Sequence, residues 1–355
     1  MHMKVSRPRP IHKILIIRFS SIGDIVLTTP VIRCVKRKYP DAELHFFTKK
    51  SFYSVVEANP YIDKVHLLAE DLQQNITELK ALDFDVVIDL HHNLRTLRVK
   101  KALKVRRTYS FDKLNVKKWL YVNFKWNLMP PVSIVERYFE AVAPLGVVND
   151  GLGLDFFIPE DKETVKDDIP MGHWMGYVAC VVGGSYATKQ FPENKWKAFV
   201  EQCSYPVILL GGPEDRPLAE AIAATDPNKV YNACGKFSLM ESADLVRKAK
   251  VVVSNDTGLM HIAAAFQKPL ISLWGNTTPW LGMFPYYGAN NLKDTISPKF
   301  TIAEVNSLSC RPCSKIGYKT CPKKHFKCMQ DIDNHAIIKD LNSFWDQELK
   351  KNIKK

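Results

Sequence analysis

No stretch of this 355-residue chain approaches the roughly 18 consecutive apolar residues that a membrane-spanning helix requires. The apolar run near the amino end, "ILII", is too short for the core of a signal peptide. Four of the eight cysteines are scattered along the chain, which is typical of reduced thiols rather than of a disulfide framework; they are Cys34, Cys180, Cys203 and Cys234. We therefore expect a cytoplasmic location.

Two further signatures are missing. No G-x-G-x-x-G follows the first predicted strand, which disfavours a dinucleotide dehydrogenase. No recognisable fold signature of a nucleic-acid-binding module is present either. What the chain has in excess is positive charge, with 50 basic against 37 acidic residues and a net charge of +13. Such an excess favours anionic partners, although a solvated helix face would explain its densest part, "NLRTLRVKKALKVRR", equally well.

Short apolar runs alternate with amphipathic stretches of helix length in both halves of the chain. This alternation predicts parallel strands joined by crossover helices. The predicted strands of the first half are "KILIIRF", "ELHFFT", "KVHLL" and "DVVIDL"; those of the second half are "GYVACVV", "YPVILLGG", "KVYNAC", "KVVVSND" and "PLISLWG". We therefore predict two Rossmann-like α/β domains that face a cleft.

The alternation breaks around residues 150–173, where Gly, Pro and Asp are frequent. We predict a domain boundary there. The first domain covers residues 1–160 and the second covers residues 173–330. A terminal helix with a basic end is predicted over residues 331–355.

The first strand leads into the turn "RFSSIGDIVLTTP", which holds Ser20, Ser21, Gly23 and Asp24. Ligands of open parallel sheets bind beyond the carboxyl ends of the strands. A carboxylate at this place can accept a proton from an incoming hydroxyl, which makes Asp24 a candidate general base. A simple helix cap would account for the same residue.

Two loops of the second half end strands with residues that suit a nucleotide. In "GGSYATKQFP", Ser185, Thr188 and Lys189 form a turn whose lysine suits a diphosphate. In "LLGGPEDRPLAE", Glu214 or Asp215 could accept hydrogen bonds from ribose hydroxyls. An acidic first turn of a helix would explain the second loop without any ligand.

A third loop, "SNDTGLMH", lies between a predicted strand and a predicted helix. The backbone N–H groups of Thr257, Gly258 and Leu259 would form the N-terminus of that helix, which attracts phosphate. Asp256 could be only the helix cap, but a cap does not account for His261, one turn further on. Together the three loops predict a nucleotide-diphosphate site in the second domain.

Four stretches, in this order, resemble glycosyltransferase family 9, the bacterial heptosyltransferases of lipopolysaccharide core assembly. They are "ILIIRFSSIGDIVLTTPVIRCVKRKYPDAELHFFT", "FDVVIDLHHNLRT", "GGSYATKQFP" and "VSNDTGLMHIAAAFQKPLISLWGNTTP". The resemblance implies the GT-B architecture, with two Rossmann-like domains and parallel sheets facing a central cleft. It also implies an inverting, metal-independent transfer of heptose from ADP-heptose to Kdo or to a heptose of the inner core.

Carried over residue by residue, the resemblance makes Asp24 the general base and Lys189 the diphosphate contact. The other donor contacts are Glu214, Asp256, Thr257, Gly258, Leu259 and His261, to which the turn before Lys189 adds Ser185 and Thr188. The candidate acceptor residues are Ser21, Gly23, His92, Asn93, Arg95 and Arg98. At His92 and Asn93 the chain departs from the usual Gln-Gly pattern of the family.

The acceptor that the resemblance implies is an anionic glycolipid of the inner membrane. The basic stretch from Arg95 would then steer and hold it, so we expect peripheral contact with the cytoplasmic face of that membrane. No nucleic-acid partner is expected.

Four more cysteines cluster in "SCRPCSKIGYKTCPKKHFKCMQDI": Cys310, Cys313, Cys321 and Cys328. Clustered thiols in a cytoplasmic chain predict a structural zinc site. The second pair is spaced more widely than in a usual zinc knuckle, so disulfides and unligated thiols stay open as alternatives.

Two other functions are compatible with parts of the sequence. A nucleotide-sugar 2-epimerase shares the two-domain architecture, but the early Ser-Ser-x-Gly-Asp stretch and the cationic face argue against it. Release of free nucleotide diphosphate only when an acceptor is present would distinguish a glycosyltransferase from an epimerase. A non-enzymatic nucleic-acid-binding protein could use the basic face and a zinc knuckle, and its binding would fall steeply with salt.

Overall fold

The computed structural model describes residues 10–288 and 299–353. By their contacts these residues divide into two compact units. Unit 1 comprises the chain up to Lys113 and Arg137–Asp150, and unit 2 comprises Leu114–Glu136 and the chain from Gly151 onward. Residues 114–136 thus pack with unit 2, although they lie within the sequence range predicted for the first domain. Most of the basic amino-terminal stretch and the extreme end of the terminal helix lie outside the described residues.

Unit 1 is built on a parallel sheet. Its strands are β1 (Lys13–Ile17), β2 (Glu43–Lys49), β3 (Lys64–Leu68), β4 (Val86–Asp89) and β5 (Arg107–Ser110). Its helices are α1 (Ile22–Val26), α2 (Thr29–Lys38), α3 (Leu72–Lys80) and α4 (Leu94–Leu103); the chain then forms α5 (Asn115–Phe124) in unit 2 and returns through α6 (Ile134–Val142). The strand order is β3-β2-β1-β4-β5, and every pairing is parallel.

Unit 2 is built on a second parallel sheet. Its strands are β6 (Val178–Val181), β7 (Val207–Leu210), β8 (Val230–Asn232), β9 (Val251–Asn255), β10 (Leu270–Trp274) and β11 (Phe300–Glu304). Its helices after α5 are α7 (Glu193–Gln202), α8 (Arg216–Ala223), α9 (Leu239–Lys248), α10 (Gly258–Ala265), α11 (Lys327–Gln330) and α12 (Asn334–Ile353). The strand order is β11-β10-β9-β6-β7-β8.

Both sheets follow from their apolar strands. The central strands are Val- and Ile-rich and are buried on both faces, as crossover helices require. The terminal helix α12 closes the core of unit 2 with Ile337, Leu341, Phe344 and Trp345, which recur at helical spacing. The predicted fold class, two Rossmann-like units with parallel sheets, is confirmed.

Some elements differ from the prediction. The stretch of helix length over residues 23–40 forms two helices, α1 and α2, because a new helix begins at Thr29 with Pro30 in its first turn. The stretch of helix length over residues 51–60 contains only the end of a short 3-10 helix, Lys50–Val55. Strands β5 and β11 were not predicted; both lie at sheet edges. Among the described helices, none is long and apolar enough to cross a membrane.

Candidate functional site

In each unit the strand order reverses at one place, and the candidate residues lie there. In unit 1 the chain proceeds from β1 through β2 to β3 and then returns to the other side of β1 with β4. In unit 2 it proceeds from β6 to β8 and returns beside β6 with β9. Such reversals open a crevice beyond the carboxyl ends of the two central strands, where ligands of α/β sheets bind.

Arg18 organises the crevice of unit 1. Its buried guanidinium donates hydrogen bonds to the carbonyl of Ser20 at 2.8 Å, to the carbonyl of Leu90 and to the Tyr138 hydroxyl at 3.0 Å. It also pairs with Asp24, with 2.5 Å between Nη2 and Oδ1. Because Leu90 follows β4, Arg18 ties the turn after β1 to the turn after β4.

Asp24 is the third residue of α1, and its other oxygen caps that helix. Asp24 Oδ2 accepts the Ser21 N–H at 3.1 Å and the Ser21 hydroxyl at 2.7 Å. Burial alone would lower the pKa of Arg18, but the charge and hydrogen bond of Asp24 together with Tyr138 and Asp89 outweigh burial, so that pKa is raised. The Asp24 side chain stays 23% exposed, so the carboxylate is both reachable and held in place. Gly23, beside it, is buried.

The turn after β4 is held by Asp89, a residue that the sequence analysis did not single out. Its Oδ1 accepts the N–H groups of His91 at 3.0 Å and His92 at 2.6 Å, and its Oδ2 pairs with Lys100 Nζ at 2.7 Å. Asn93 then caps α4 by accepting the Thr96 N–H at 2.9 Å. A strand that ends in Asp before a polar turn is the signal that could have identified it.

Of the predicted acceptor residues, His92 has an exposed ring whose Nδ1 lies 2.8 Å from the Phe111 carbonyl. Arg95 and Arg98 are exposed on α4. Asn93 has its side-chain oxygen engaged by the helix, which leaves its amide group as the contacting part. These residues share one turn and the helix that follows it.

In unit 2, Lys189 and Asp256 form an ion pair. Lys189 Nζ lies 2.5 Å from Asp256 Oδ2, which also accepts the Thr277 hydroxyl at 3.1 Å. Their side chains are 18% and 8% exposed. The turns after β6, β9 and β10 therefore meet at one charged cluster, as predicted for the first two; Thr277 was missed.

Asn255, the residue before Asp256, joins the strand ends that carry this cluster. Its buried side chain donates to the carbonyls of Val182 and Gly183 at 2.9 and 3.2 Å and accepts the Phe191 N–H at 3.0 Å. The end of β9 is thereby joined to the end of β6. Helix α10 starts three residues later, so its N-terminus is fixed beside the turn that carries Lys189.

The predicted anion-binding residues lie at that N-terminus. Thr257 is the N-cap of α10, and Gly258 and Leu259 form its first turn. These three residues are half-buried, and His261, one turn on, is buried at 2% exposure. The first-turn N–H groups of a helix have no acceptor within the helix, and they carry its positive dipole end.

The other predicted donor contacts are placed less favourably. Ser185 and Glu214 are exposed. The Thr188 hydroxyl is buried, where it donates to the Tyr318 carbonyl at 3.0 Å and accepts the Tyr318 N–H at 2.8 Å. Asp215, the neighbour of Glu214, is buried and accepts the Gly212 N–H at 2.9 Å. A Cβ on Gly183 would come within 2.3 Å of the Asp215 carboxylate, so this glycine is needed for the close approach.

Asn276, in the turn after β10, was also missed. It is 2% exposed, and neither Oδ1 nor Nδ2 has a hydrogen-bond partner among the described residues. A buried polar group without a partner is costly. A ligand or an ordered water beside the Lys189–Asp256 cluster would remove that cost.

The comparisons with known proteins agree with this arrangement. The family model of glycosyltransferase family 9 (heptosyltransferase) matches residues 73–319. The chain belongs to glycosyltransferase family 9. It is therefore a glycosyltransferase, and the resemblance noted in the sequence is confirmed.

Individual relatives support the same family and fold. Lipopolysaccharide heptosyltransferase 1 of Campylobacter coli is 25% identical over 77% of this chain and 86% of its own length. A solved family 9 glycosyltransferase from Veillonella parvula superposes with a TM-score of 0.73 at 19% identity, covering 96% of this chain and 99% of its own. E. coli heptosyltransferase WaaC, solved with ADP, superposes with a TM-score of 0.64 at 19% identity over 94% and 99% of the two chains. The GT-B fold prediction is confirmed.

The cysteine segment of this family 9 chain packs against the turn after β10 and, through Tyr318, against the turn that carries Lys189. Arg311 Nε donates to the carbonyls of Gly275 at 2.6 Å and Thr277 at 3.1 Å, and the Cys313 N–H donates to Asn276 at 2.9 Å. A pocket of about 650 Å³ lies between the segment and the turn, lined by Ala187, Thr188, Thr320, Cys321, Pro322, Lys324 and Phe326. The segment thus supports the turns that meet at the Lys189–Asp256 cluster.

The four clustered cysteines are free thiols, like the other four. Cys310 Sγ lies 3.8 Å from His325 Nε2. Burial, with a contribution from neighbouring thiols, raises the pKa of Cys313 to about 11 and that of Cys328 to about 12. Across the described ranges, no three His, Cys, Asp or Glu side chains are arranged to hold a metal ion.

The crevice of unit 1 generates a pH prediction. Burial, together with the nearby charges of Arg18 and Lys113, lowers the pKa of His91 to about 4. The unfolded chain, with a His pKa of about 6.5, binds the proton first as pH falls. His91 therefore has no effect on the pH dependence of stability above about pH 6.5 and lowers the free energy of unfolding as pH falls from there toward 4.

NMR titration of the imidazole resonances checks this. His91 should remain neutral at pH 5.5. His91→Gln should make the unfolding free energy fall less steeply on acidification, with up to about one proton fewer taken up on unfolding per chain. Titration of His91 near its ordinary value would contradict the burial argument.

Proposed function

We propose that this chain transfers heptose from ADP-heptose to the inner core of lipopolysaccharide, with Kdo or a heptose as acceptor and inversion at the anomeric carbon. Family membership supports glycosyl transfer. The relative from Campylobacter coli is named a lipopolysaccharide heptosyltransferase, and E. coli WaaC has been solved with ADP. The observation that carries the assignment is that each crevice holds one half of the required chemistry, a reachable carboxylate in unit 1 and a cation beside a helix N-terminus in unit 2.

Asp24 is the proposed base. The acceptor hydroxyl attacks the anomeric carbon as the bond from that carbon to the ADP oxygen breaks, and its proton passes to the Asp24 carboxylate. The ion pair with Arg18 orients the Asp24 carboxylate. Ser21 fixes the second oxygen, so the carboxylate has one orientation before the acceptor arrives.

Lys189 and the first turn of α10 are the proposed diphosphate contacts. Negative charge grows on the leaving ADP as the glycosidic bond breaks, and a cation beside helix N–H groups stabilises it. We propose that these groups take the place of a metal ion in catalysis. Lys189 is paired with Asp256, so we propose that the diphosphate shares the Lys189 ammonium group with this carboxylate.

The acceptor side is proposed to be unit 1. The exposed Arg95 and Arg98 suit the anionic sugars and phosphates of a core glycolipid. Since that acceptor is anchored in the inner membrane, we propose that the enzyme works as a peripheral protein at its cytoplasmic face. The exposed ring of His92 lies on the same turn and helix start.

Replacing Asp24 tests the base. Asp24→Asn keeps the size of the side chain but cannot take up a proton, so turnover should fall by about 10²-fold or more. The affinity for ADP, measured by calorimetry, should stay unchanged because the ADP contacts lie in unit 2. Asp41→Asn, at an exposed turn of the same unit, is the matched control and should keep full turnover. Near-normal turnover of Asp24→Asn would remove Asp24 from this role.

Replacing Lys189 tests the diphosphate contact. Lys189→Ala should weaken ADP binding by about 10-fold and lower turnover by about 10²-fold, because a charge-assisted contact is lost from the leaving group. Lys197→Ala, which removes an ion-paired lysine from the solvent-facing side of α7, is the control. The double variant Lys189→Ala/Asp256→Asn separates loss of the cation from exposure of an uncompensated carboxylate. Unchanged ADP affinity in both Lys189 variants would contradict the assignment.

We also propose that Cys310, Cys313, Cys321 and Cys328 bind a structural zinc ion. The proposal requires the four side chains to turn toward one another and to lose their protons to the metal. Four thiolates leave no open position, so the metal would stabilise the segment that supports the turns of the Lys189–Asp256 cluster without entering the reaction.

Metal analysis of protein purified without chelator decides this. About one zinc per chain is expected, with loss of zinc and a lower melting temperature in Cys321→Ser but retained zinc in Cys34→Ser. Less than about 0.2 zinc per chain, with four titratable thiols in the folded protein, would contradict the proposal.

A further inference from the structure

Helix α5 and the residues after it expose an unusual number of large apolar side chains. Val116, Trp119 and Phe124 on the helix are 71, 56 and 52% exposed, and Trp126 and Leu128 after it are 63 and 55% exposed. These five residues are called the aromatic stripe here. The rings of Trp119 and Phe124 lie 5.3 Å apart, and those of Phe124 and Trp126 lie 5.5 Å apart. No residue of α5 itself is buried.

The stripe follows helical spacing. Positions 116, 119 and 124 fall on one side of α5, with the half-buried Leu120 between them. In a globular protein such a side normally faces the core. Here it faces solvent within its own unit, which indicates a partner outside that unit.

The opposite side of α5 fastens the segment to unit 2. The Tyr121 hydroxyl is hydrogen-bonded to Thr278, and Lys125 Nζ donates to the Pro312 carbonyl at 2.7 Å. Downstream, the Ile134 N–H donates to the Gly282 carbonyl at 2.8 Å, and Met129 is buried. The aromatic stripe is therefore presented by an anchored helix and not by a loose loop.

The charge of the segment identifies the partner. Between Asp112 and Glu136 the sequence has four lysines and no acidic residue; the lysines are Lys113, Lys117, Lys118 and Lys125. Exposed Trp and Phe beside lysines match a bilayer interface, where rings enter the headgroup region and ammonium groups meet anionic lipid. A ten-residue helix is too short to span a membrane but long enough to lie in its surface.

We propose that the aromatic stripe of α5 inserts into the headgroup region of an anionic phospholipid bilayer. This rests on the proposed function, since it names the element of unit 2 that holds the enzyme on the membrane carrying its glycolipid acceptor. The lysines bring the surface close, and the rings supply contacts that salt does not screen. Unit 2 then has a membrane contact of its own, separate from the arginines of α4.

Co-sedimentation with vesicles tests the contact. The vesicles contain phosphatidylethanolamine with about one quarter phosphatidylglycerol, and pure phosphatidylcholine is the comparison. Trp119→Ser/Phe124→Ser should lower partition by about 10-fold or more. Lys117→Glu should lower it by about fivefold or more, and only on the anionic vesicles. The control Met171→Ser/Met175→Ser removes two side chains of 74 and 89% exposure from the same unit and should leave partition unchanged.

Tryptophan quenching reports insertion directly. Lipids brominated near the headgroup should quench the native protein, and Trp119→Phe/Trp126→Phe should bind vesicles as before while losing most of that quenching. Circular dichroism of each variant verifies that it is folded. Unchanged partition of a folded Trp119→Ser/Phe124→Ser variant, or absence of quenching in the native protein, would overturn the proposal.

Two further measurements separate the alternatives. If the stripe instead meets a second copy of the chain, Trp119→Ser/Phe124→Ser will turn a dimer into a monomer in sedimentation velocity without lipid, and the lipid proposal is wrong. Transfer to a water-soluble, delipidated core acceptor should be unaffected by this variant. Failure of the native protein to glycosylate that acceptor would count against the proposed function, whereas the vesicle data judge the membrane contact alone.

Discussion

The arrangement depends on one constraint, the joining of the two central strands in each sheet at the point where strand order reverses. Arg18 joins the ends of β1 and β4 through the Leu90 carbonyl, and Asn255 joins the ends of β9 and β6 through the Val182 and Gly183 carbonyls. Both side chains are buried and bind main-chain oxygens. Without them the turns that follow these strands would not be held at a fixed distance from each other, and the side chains that line each crevice would lack defined positions.

Each candidate reacting group is held by an opposite charge before any ligand arrives. Asp24 is paired with Arg18, and Lys189 is paired with Asp256. Removing one partner from such a partly buried pair is costly, because the other charge is left uncompensated. The pairs therefore hold the side chains in position. Asp24 and Lys189 are the more exposed members of their pairs, so a substrate can contact them.

Much of the fold could be predicted from the sequence, because strands buried on both faces leave continuous apolar runs. Edge strands β5 and β11 left no such signal, and helix α5 was not predicted either. For the site, the positions of Asp24, Lys189 and Asp256 at strand ends were predictable from motifs. Their partners were not predicted. Thr277 reaches Asp256 from a separate turn, and the Arg18 guanidinium is held beside Asp24 partly by the Leu90 carbonyl of another turn; residue spacing does not encode such contacts.

The central claim is that the two crevices together carry out glycosyl transfer from ADP-heptose. The most direct test is a time course with ADP-heptose and a purified core acceptor, in which ADP is quantified and the new linkage is examined by NMR. The account predicts one ADP released for each glycosidic bond formed, release only when acceptor is present, and an anomeric configuration opposite to that of the donor. ADP release that does not depend on acceptor, or a product that retains the donor configuration, would contradict it.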